Sequence, residues 1–436
     1  MLIMLALYVV ALIAYCWVTR PAQRDHYSFV VDGAKSGANV TAFGLFTLIG
    51  GGELVAGASF GFASGWIGTS LFWGYAFAFI VLAIIGPSLK RRSSATAVTY
   101  VDFAIAEFGA GIGRTVLLFQ LVAFFAVLVL QFAAGGVLLS KLLGCTYIEA
   151  IILCALVITC YLFVGGFRAV ATTDVIQGLV MLLIIVLAVY VLSKTTYATT
   201  PKFEATSFEA SWGVAISGLI IGLASADVFQ RIYAAKDTRA VRIGFVAGGV
   251  MMFVYGTLIV AIGILARMNN FTTDANEAFI SVFSSALPVW VASLAMLAVV
   301  AAVLSTADTE LFLVTTLLDR YILPGRPDRK QTEPFRAWLL LPVAVSAVFA
   351  AYFADNLAAF FSWLFVSYMV VAPTIALTLF LRPSARLIYV SFFVSALCFL
   401  IGLITGLLTL ENSFVLAVPA ILVLPIGHVI RRREER

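Results

Sequence analysis

Apolar residues in this chain run unbroken for about 20 positions at a time, the length a helix needs to cross the hydrocarbon core of a bilayer. Thirteen such runs lie near 2–18, 38–62, 66–88, 113–140, 147–166, 171–193, 212–230, 241–266, 286–317, 337–354, 357–381, 387–408 and 412–430. Soluble domains hold about 45–50% apolar and about 25% charged residues. Here the apolar set of Ala, Val, Ile, Leu, Met, Phe, Trp, Tyr and Cys makes up 63% of 436 residues, and Asp, Glu, Lys and Arg only 11%. Water-soluble enzymes, nucleic-acid binders and disordered scaffolds are therefore excluded, because no soluble fold hides that much apolar surface. Continuous runs, rather than alternation, exclude a transmembrane β-barrel as well. The pattern predicts an all-α polytopic membrane protein with about 13 transmembrane helices, a single transmembrane domain over 1–436 embedded in a lipid bilayer.

Orientation follows from the cations, which collect in cytoplasmic loops. With the N-terminus outside, 23 of the 27 Lys and Arg fall inside, leaving Lys141, Lys194, Lys202 and Arg267 outside. The expected setting is a plasma membrane, with a bacterial inner membrane as the natural host and the C-terminus in the cytoplasm. The opening Met-Leu-Ile-Met has no basic leader before it, so residues 2–18 read as a retained helix. Five scattered cysteines and two histidines, His26 and His428, support neither a disulfide framework nor a His-built metal centre. The longest polar stretches, 194–212 and 319–336, are only loop-sized.

Ionisable side chains within spans are costly and usually face a bundle interior or a water path. Here they are Glu53, Asp227, Asp308 and Glu310, with Asp174 where a helix begins. Gly50-Gly51-Gly52 directly precedes Glu53. Each glycine weakens a helix by about 1 kcal/mol relative to alanine. A helix broken at membrane depth frees carbonyls that can coordinate an ion or substrate, while close helix packing at small residues is the competing reading. In the ninth run Ala302, Ser305, Thr306 and Thr309 fall at i, i+3, i+4 and i+7, so three hydroxyls share one face. Such oxygens suit a hard cation such as sodium; interhelical hydrogen bonding is the alternative. Gln120 and Gln131 share a face of the fourth run, where hydrogen bonding between helices is the first reading and cavity lining the second.

Several segments in order along the chain resemble the sodium:solute symporter family. Gly165-Gly166, Ala169-Val170, Thr173-Asp174 and Gln177 match its most specific signature. Gln230-Arg231 with Ala234-Ala235-Lys236 is similar to its cytoplasmic turn. Ser305-Thr306-Ala307-Asp308-Thr309 followed by Asp319-Arg320-Tyr321 resembles a third segment, and Thr99-Tyr100-Val101-Asp102-Phe103 with Phe108-Gly109 a fourth. The resemblance implies a leucine-transporter-type fold of two inverted five-helix repeats. Here these would be 38–193 and 212–381, preceded by the extra helix 2–18 and followed by two helices over 387–430. It implies sodium (Na+) as coupling ion, held by the carbonyls of Phe46, Ile49 and Ala302 and the hydroxyls of Ser305 and Thr306, with Asp174 linked to coupling. A substrate-facing set follows at Glu53, Gly51, Gly52, Ser225 and Thr309, and a cytoplasmic gate pair at Asp227 and Arg231. Where some members carry an aspartate near the break, this chain has Leu48.

Sodium-coupled symport of a small organic solute by alternating access is thus the leading expectation. A proton-coupled carrier working through Glu53, or a transporter-like sensory module acting through a separate partner, are the alternatives. Nothing in the sequence resembles a nucleophile–base pair, so an enzyme is not expected. Glu53 has two competing roles: holding an amino group or coupling proton, or accepting backbone amides freed by the break. Acidic residues in the spans, with no Arg or Lys in any span core, tilt the solute toward a zwitterion or cation. Phe60, Phe72, Trp73, Tyr75 and Phe229 are candidate aromatic cover for it.

Overall fold

A computed structural model of the chain describes residues 2–19, 26–93, 96–194, 208–286, 289–322, 333–352 and 357–434. Every regular element among these residues is helical. Among the described residues an isolated bridge joins Ser36 to Ala235: Ser36 N–H donates to the Ala234 carbonyl at 3.0 Å and Lys236 N–H to the Ser36 carbonyl at 2.8 Å.

Helix α1 (Leu2–Thr19) packs against the long helical path Tyr147–Lys194, and α2 (His26–Val31) is a short helix of 6 residues. The run at 38–62 is two helices, α3 (Ala38–Phe46) and α4 (Gly51–Ser64), with residues 47–50 non-helical between them. Gly65 follows with φ 68°, a left-handed value that turns the chain into α5 (Thr69–Arg92). Then come α6 (Tyr100–Phe108) and α7 (Ala110–Leu143), separated by Gly109 at φ 89°. The two runs at 147–166 and 171–193 have no loop between them. They form one path, α8 (Tyr147–Lys194), bent at Gly166, where φ is 59° and ψ is −151°. The Phe29 ring fills the space a side chain would take there, 2.7 Å from the position of a Cβ.

A second break follows further along the chain. Helices α9 (Phe208–Ala224) and α10 (Ala226–Ala234) meet at Ser225 with a bend of 47°. They are followed by α11 (Thr238–Met268), α12 (Ala278–Ala286), α13 (Val289–Leu317) and α14 (Glu333–Ala350). Helices α15 (Leu357–Tyr368) and α16 (Ala372–Thr378) form another bent pair, at 43°. The chain closes with α17 (Ala385–Thr405) and α18 (Val418–Glu434). Among the described residues seven helices are long and apolar enough to cross a membrane, and up to nine if each bent pair counts as one span.

Two of the sequence segments singled out above lock each other. Thr99 and Asp102 cap α6, and Asp102 also receives the Arg320 guanidinium at 2.9 Å, while the Thr99 and Tyr321 hydroxyls lie 3.0 Å apart. The end of α13 is thereby fastened to the short helix before α7.

Candidate functional site

Residues 47–50 put a non-helical stretch against the hydroxyl face of α13. Thr306 Oγ1 donates to the Thr47 carbonyl at 3.0 Å, and Ser305 Oγ donates to Asp174 Oδ1 at 2.8 Å. Each hydroxyl spends its hydrogen on a protein acceptor, so its oxygen lone pairs remain for a cation. Ala302, Ser305 and Thr306 are all buried. The Phe46 carbonyl accepts a long 3.3 Å bond from Ile49 N–H across the break, and both residues are buried. Among the described residues no three His, Cys, Asp or Glu side chains are grouped to hold a metal ion; the oxygens gathered here are those of hydroxyls, carbonyls and one carboxylate, Asp174.

The glycines before Glu53 serve helix packing as well as the break. A Cβ on Gly50 would collide with the Thr306 side chain, one on Gly51 with Val303, and one on Gly52 would lie 2.8 Å from Leu130. Gly51 and Gly52, expected to face substrate, instead let α4 touch α13 and α7, because only hydrogen fits between these backbones. Glu53 closes the first turn of α4: its Oε2 accepts the Gly50 N–H at 2.9 Å and Gln131 Nε2 at 2.9 Å, while Gln131 Oε1 accepts the Gly52 N–H at 3.1 Å. Of the two roles weighed for Glu53, the bond to a freed backbone amide is made.

Gln120 does the same for the second break. Its Nε2 donates to the Ala224 carbonyl at 3.1 Å, and Tyr368 OH donates to that carbonyl at 3.0 Å. The two glutamines of α7 thus satisfy backbone groups released at both interruptions. Just past Ala224, Ser225 Oγ donates to Asp227 Oδ1, which also accepts the Val228 N–H at 2.8 Å.

The expected gate pair is not formed between side chains. Arg231 Nη2 reaches Asp174 Oδ2 at 3.1 Å and Thr309 Oγ1 at 3.1 Å, and it meets Asp227 only through the backbone carbonyl, with Nη1 at 3.3 Å. The Asp227 carboxylate folds back on its own helix start, which leaves the guanidinium to α8 and α13. Thr309, expected at the substrate, is committed to Arg231 in the same way. Both ends of the ion pair are buried, Arg231 at 4% and Asp174 at 1% exposure. Gly44 of α3 makes room for them: a Cβ there would lie 2.7 Å from Arg231 Nε and 3.2 Å from Asp174 Oδ2. Asp308 sits behind this pair, accepting Tyr161 OH at 2.6 Å.

Between the two breaks lies a cavity of about 70 Å³. Of the expected substrate residues, Glu53 and Ser225 line it, joined by Asp227, Thr306 and Ile49. Phe72 and Tyr75 contribute aromatic wall, with Phe124, Phe361 and Phe365 opposite. The other aromatic candidates lie elsewhere: Trp73 is 42% exposed and bonded to Thr257, Phe60 packs on Phe361, and Phe229 on Tyr100. Glu310 lines the cavity too. The helical period gave the signal for it, since Glu310 stands one turn past Thr306 on the same face of α13.

Interrupted helices placed around a buried cavity in an apolar bundle are the architecture of a secondary transporter. The chain belongs to the sodium:solute symporter family, whose model matches residues 29–383. That family consists of transporters, not enzymes. The chain is 28% identical over 258 residues to a sodium/pantothenate symporter of Haemophilus influenzae, covering 53% of this chain and 52% of that protein. It is 26% identical over 195 residues to a sodium/proline symporter of Staphylococcus aureus, covering 42% and 38%. The chain thus matches about half the length, or less, of these curated relatives. The structure of a sodium-coupled sialic acid symporter, substrate-bound and outward-open, superposes with a TM-score of 0.77 at 16% identity, covering 98% of this chain and 95% of that one. A nucleobase-cation-symport-1 family transporter with bromovinylhydantoin bound gives 0.67 at 14% identity, covering 93% and 95%. At these identities the likeness shows the fold.

Proposed function

We propose that this protein carries a small organic solute into the cell by sodium-coupled symport and alternating access. The observation that supports this most is the seating of Ser305 and Thr306 on the interrupted stretch 47–50, with the Thr306 hydroxyl bonded to the Thr47 carbonyl. Sodium would be held there by the carbonyls of Phe46, Ile49 and Ala302 and the two hydroxyls. Thr306 also lines the central cavity, so the ion and the solute share a wall. Occupation of one stiffens the surface that the other binds, which is a physical basis for coupling.

The Arg231–Asp174 pair ties α10 to α8 beside the same α13 face, with Ser305 on one carboxylate oxygen. In this reading it is the inner gate: sodium and solute leave when α10 moves and the pair parts. The same reading takes the bundle as 13 spans. The two longest helical paths divide at Gly65 and Gly166, the bent pairs each count once, and the apolar segments Ile3–Val18 and Trp338–Ala350 complete the number. Repeats at 38–193 and 212–381 would then be inverted copies, each opening with an interrupted helix. The N-terminus would be outside and the C-terminus in the cytoplasm.

Uptake into proteoliposomes tests the function. A solute that binds should accumulate when an inward sodium gradient is imposed and not under an equal potassium gradient. Equal uptake under both gradients would defeat sodium coupling, and binding with no flux would favour a sensory role.

A further inference from the structure

We propose that the solute is a protonated organic amine, its ammonium group seated among Glu53, Asp227 and Glu310 and its apolar body against Phe72, Phe361 and Phe365. This rests on the reading of the central cavity as the solute site. Three carboxyl groups from three different helices, α4, α10 and α13, line that cavity, and among the described residues no Lys or Arg does. The buried cation nearest in sequence, Arg231, is committed to Asp174 and Thr309. An anionic solute would therefore meet three carboxyl groups with no cationic side chain beside them among the described lining residues, an arrangement that opposes binding.

Glu310 carries the argument further. It is 3% exposed, and its Oε2 has no hydrogen-bond partner. A buried acceptor left without a donor is costly, so the site is incomplete until something donates to it. Glu53 and Asp227 already accept bonds from the protein, which leaves Glu310 as the oxygen waiting for an N–H. A quaternary ammonium has no N–H to give; a protonated primary or secondary amine does. Aromatic faces beside the carboxylates add attraction for an organic cation.

The test uses the purified full chain in sodium buffer and compounds that share one body and differ in charge. Thermal stability is followed while titrating 2-phenylethylamine, phenylalanine and 3-phenylpropionate, with butylamine as a second, slimmer amine. The amines should raise the melting temperature saturably, phenylalanine less, and 3-phenylpropionate not at all. Glu310→Gln and Asp227→Asn should each weaken the amine Kd on the order of 10- to 100-fold. Where one variant fails to fold, the other carries this arm, and the wild-type charge series stands by itself. Stabilisation by 3-phenylpropionate or phenylalanine that matches the amines, no shift with either amine, or an amine Kd unchanged in both variants overturns the proposal. Sodium titrated alone separates the two claims: a sodium shift without an amine shift removes the amine and leaves the symporter reading, whereas the absence of both removes the symporter reading itself.

Discussion

Replacing Arg231 by glutamine should destabilise the folded chain by about 3–5 kcal/mol, because it leaves a buried carboxylate without its ion-pair partner. Asp174 is 1% exposed, and the guanidinium lies 3.1 Å from its Oδ2. Asp174→Asn alone strands the guanidinium by the same logic. The double variant removes both charges together, so the two losses should fall short of additivity by about 3 kcal/mol. Asp227→Asn in place of Asp174→Asn should show less than half that coupling, since Arg231 meets Asp227 through the backbone carbonyl. The assay is equilibrium unfolding in mixed micelles across both cycles. A coupling below about 0.5 kcal/mol for Asp174, or a larger coupling for Asp227 than for Asp174, would refute the assignment of the buried pair.

Gly51→Ala should cost about 1–3 kcal/mol through collision with Val303, and adding Val303→Ala should recover part of it, as read by the same unfolding assay. Gln131→Leu removes the donor to Glu53 and the acceptor of the Gly52 N–H, so a loss of about 2–3 kcal/mol is expected; an unchanged unfolding midpoint would mean that α7 does not hold the break. Gly44→Ala should push on the Arg231 guanidinium and weaken the pair, visible as a smaller Arg231–Asp174 coupling in the cycle above.

Much of this arrangement is legible in the amino-acid order. The glycine run before Glu53 places the break to within a few residues, because glycine lowers helix propensity, yet the interruption is 47–50 and Gly51 and Gly52 already belong to α4, where they serve close packing. The spacing of Ser305 and Thr306 marks a hydroxyl face, because the helical period is fixed. Pairing across the bundle is not legible in the same way. Asp227 and Arg231 stand four apart on one helix, which suggests a pair, yet the guanidinium chooses Asp174, 57 residues away in sequence. Local spacing carries no information about that distance in space. The loopless bend at Gly166 was hidden for a related reason: a glycine at positive φ kinks a helix without any polar residues to announce it. The place of Glu310 was open to the period argument, but nothing in the sequence says that its oxygen lacks a donor.

Sodium binding at the interrupted helix is the central claim, and a melt of the purified protein across a sodium titration at constant ionic strength, with potassium making up the balance at fixed pH, tests it most directly. Binding to the folded state stabilises by RT ln(1 + [Na+]/Kd), about 2.7 kcal/mol at a hundredfold excess over Kd. The account predicts a saturable, sodium-specific rise whose midpoint moves to higher sodium in Ser305→Ala with Thr306→Ala. A melt that does not distinguish sodium from potassium, or a double variant with an unchanged midpoint, would contradict it.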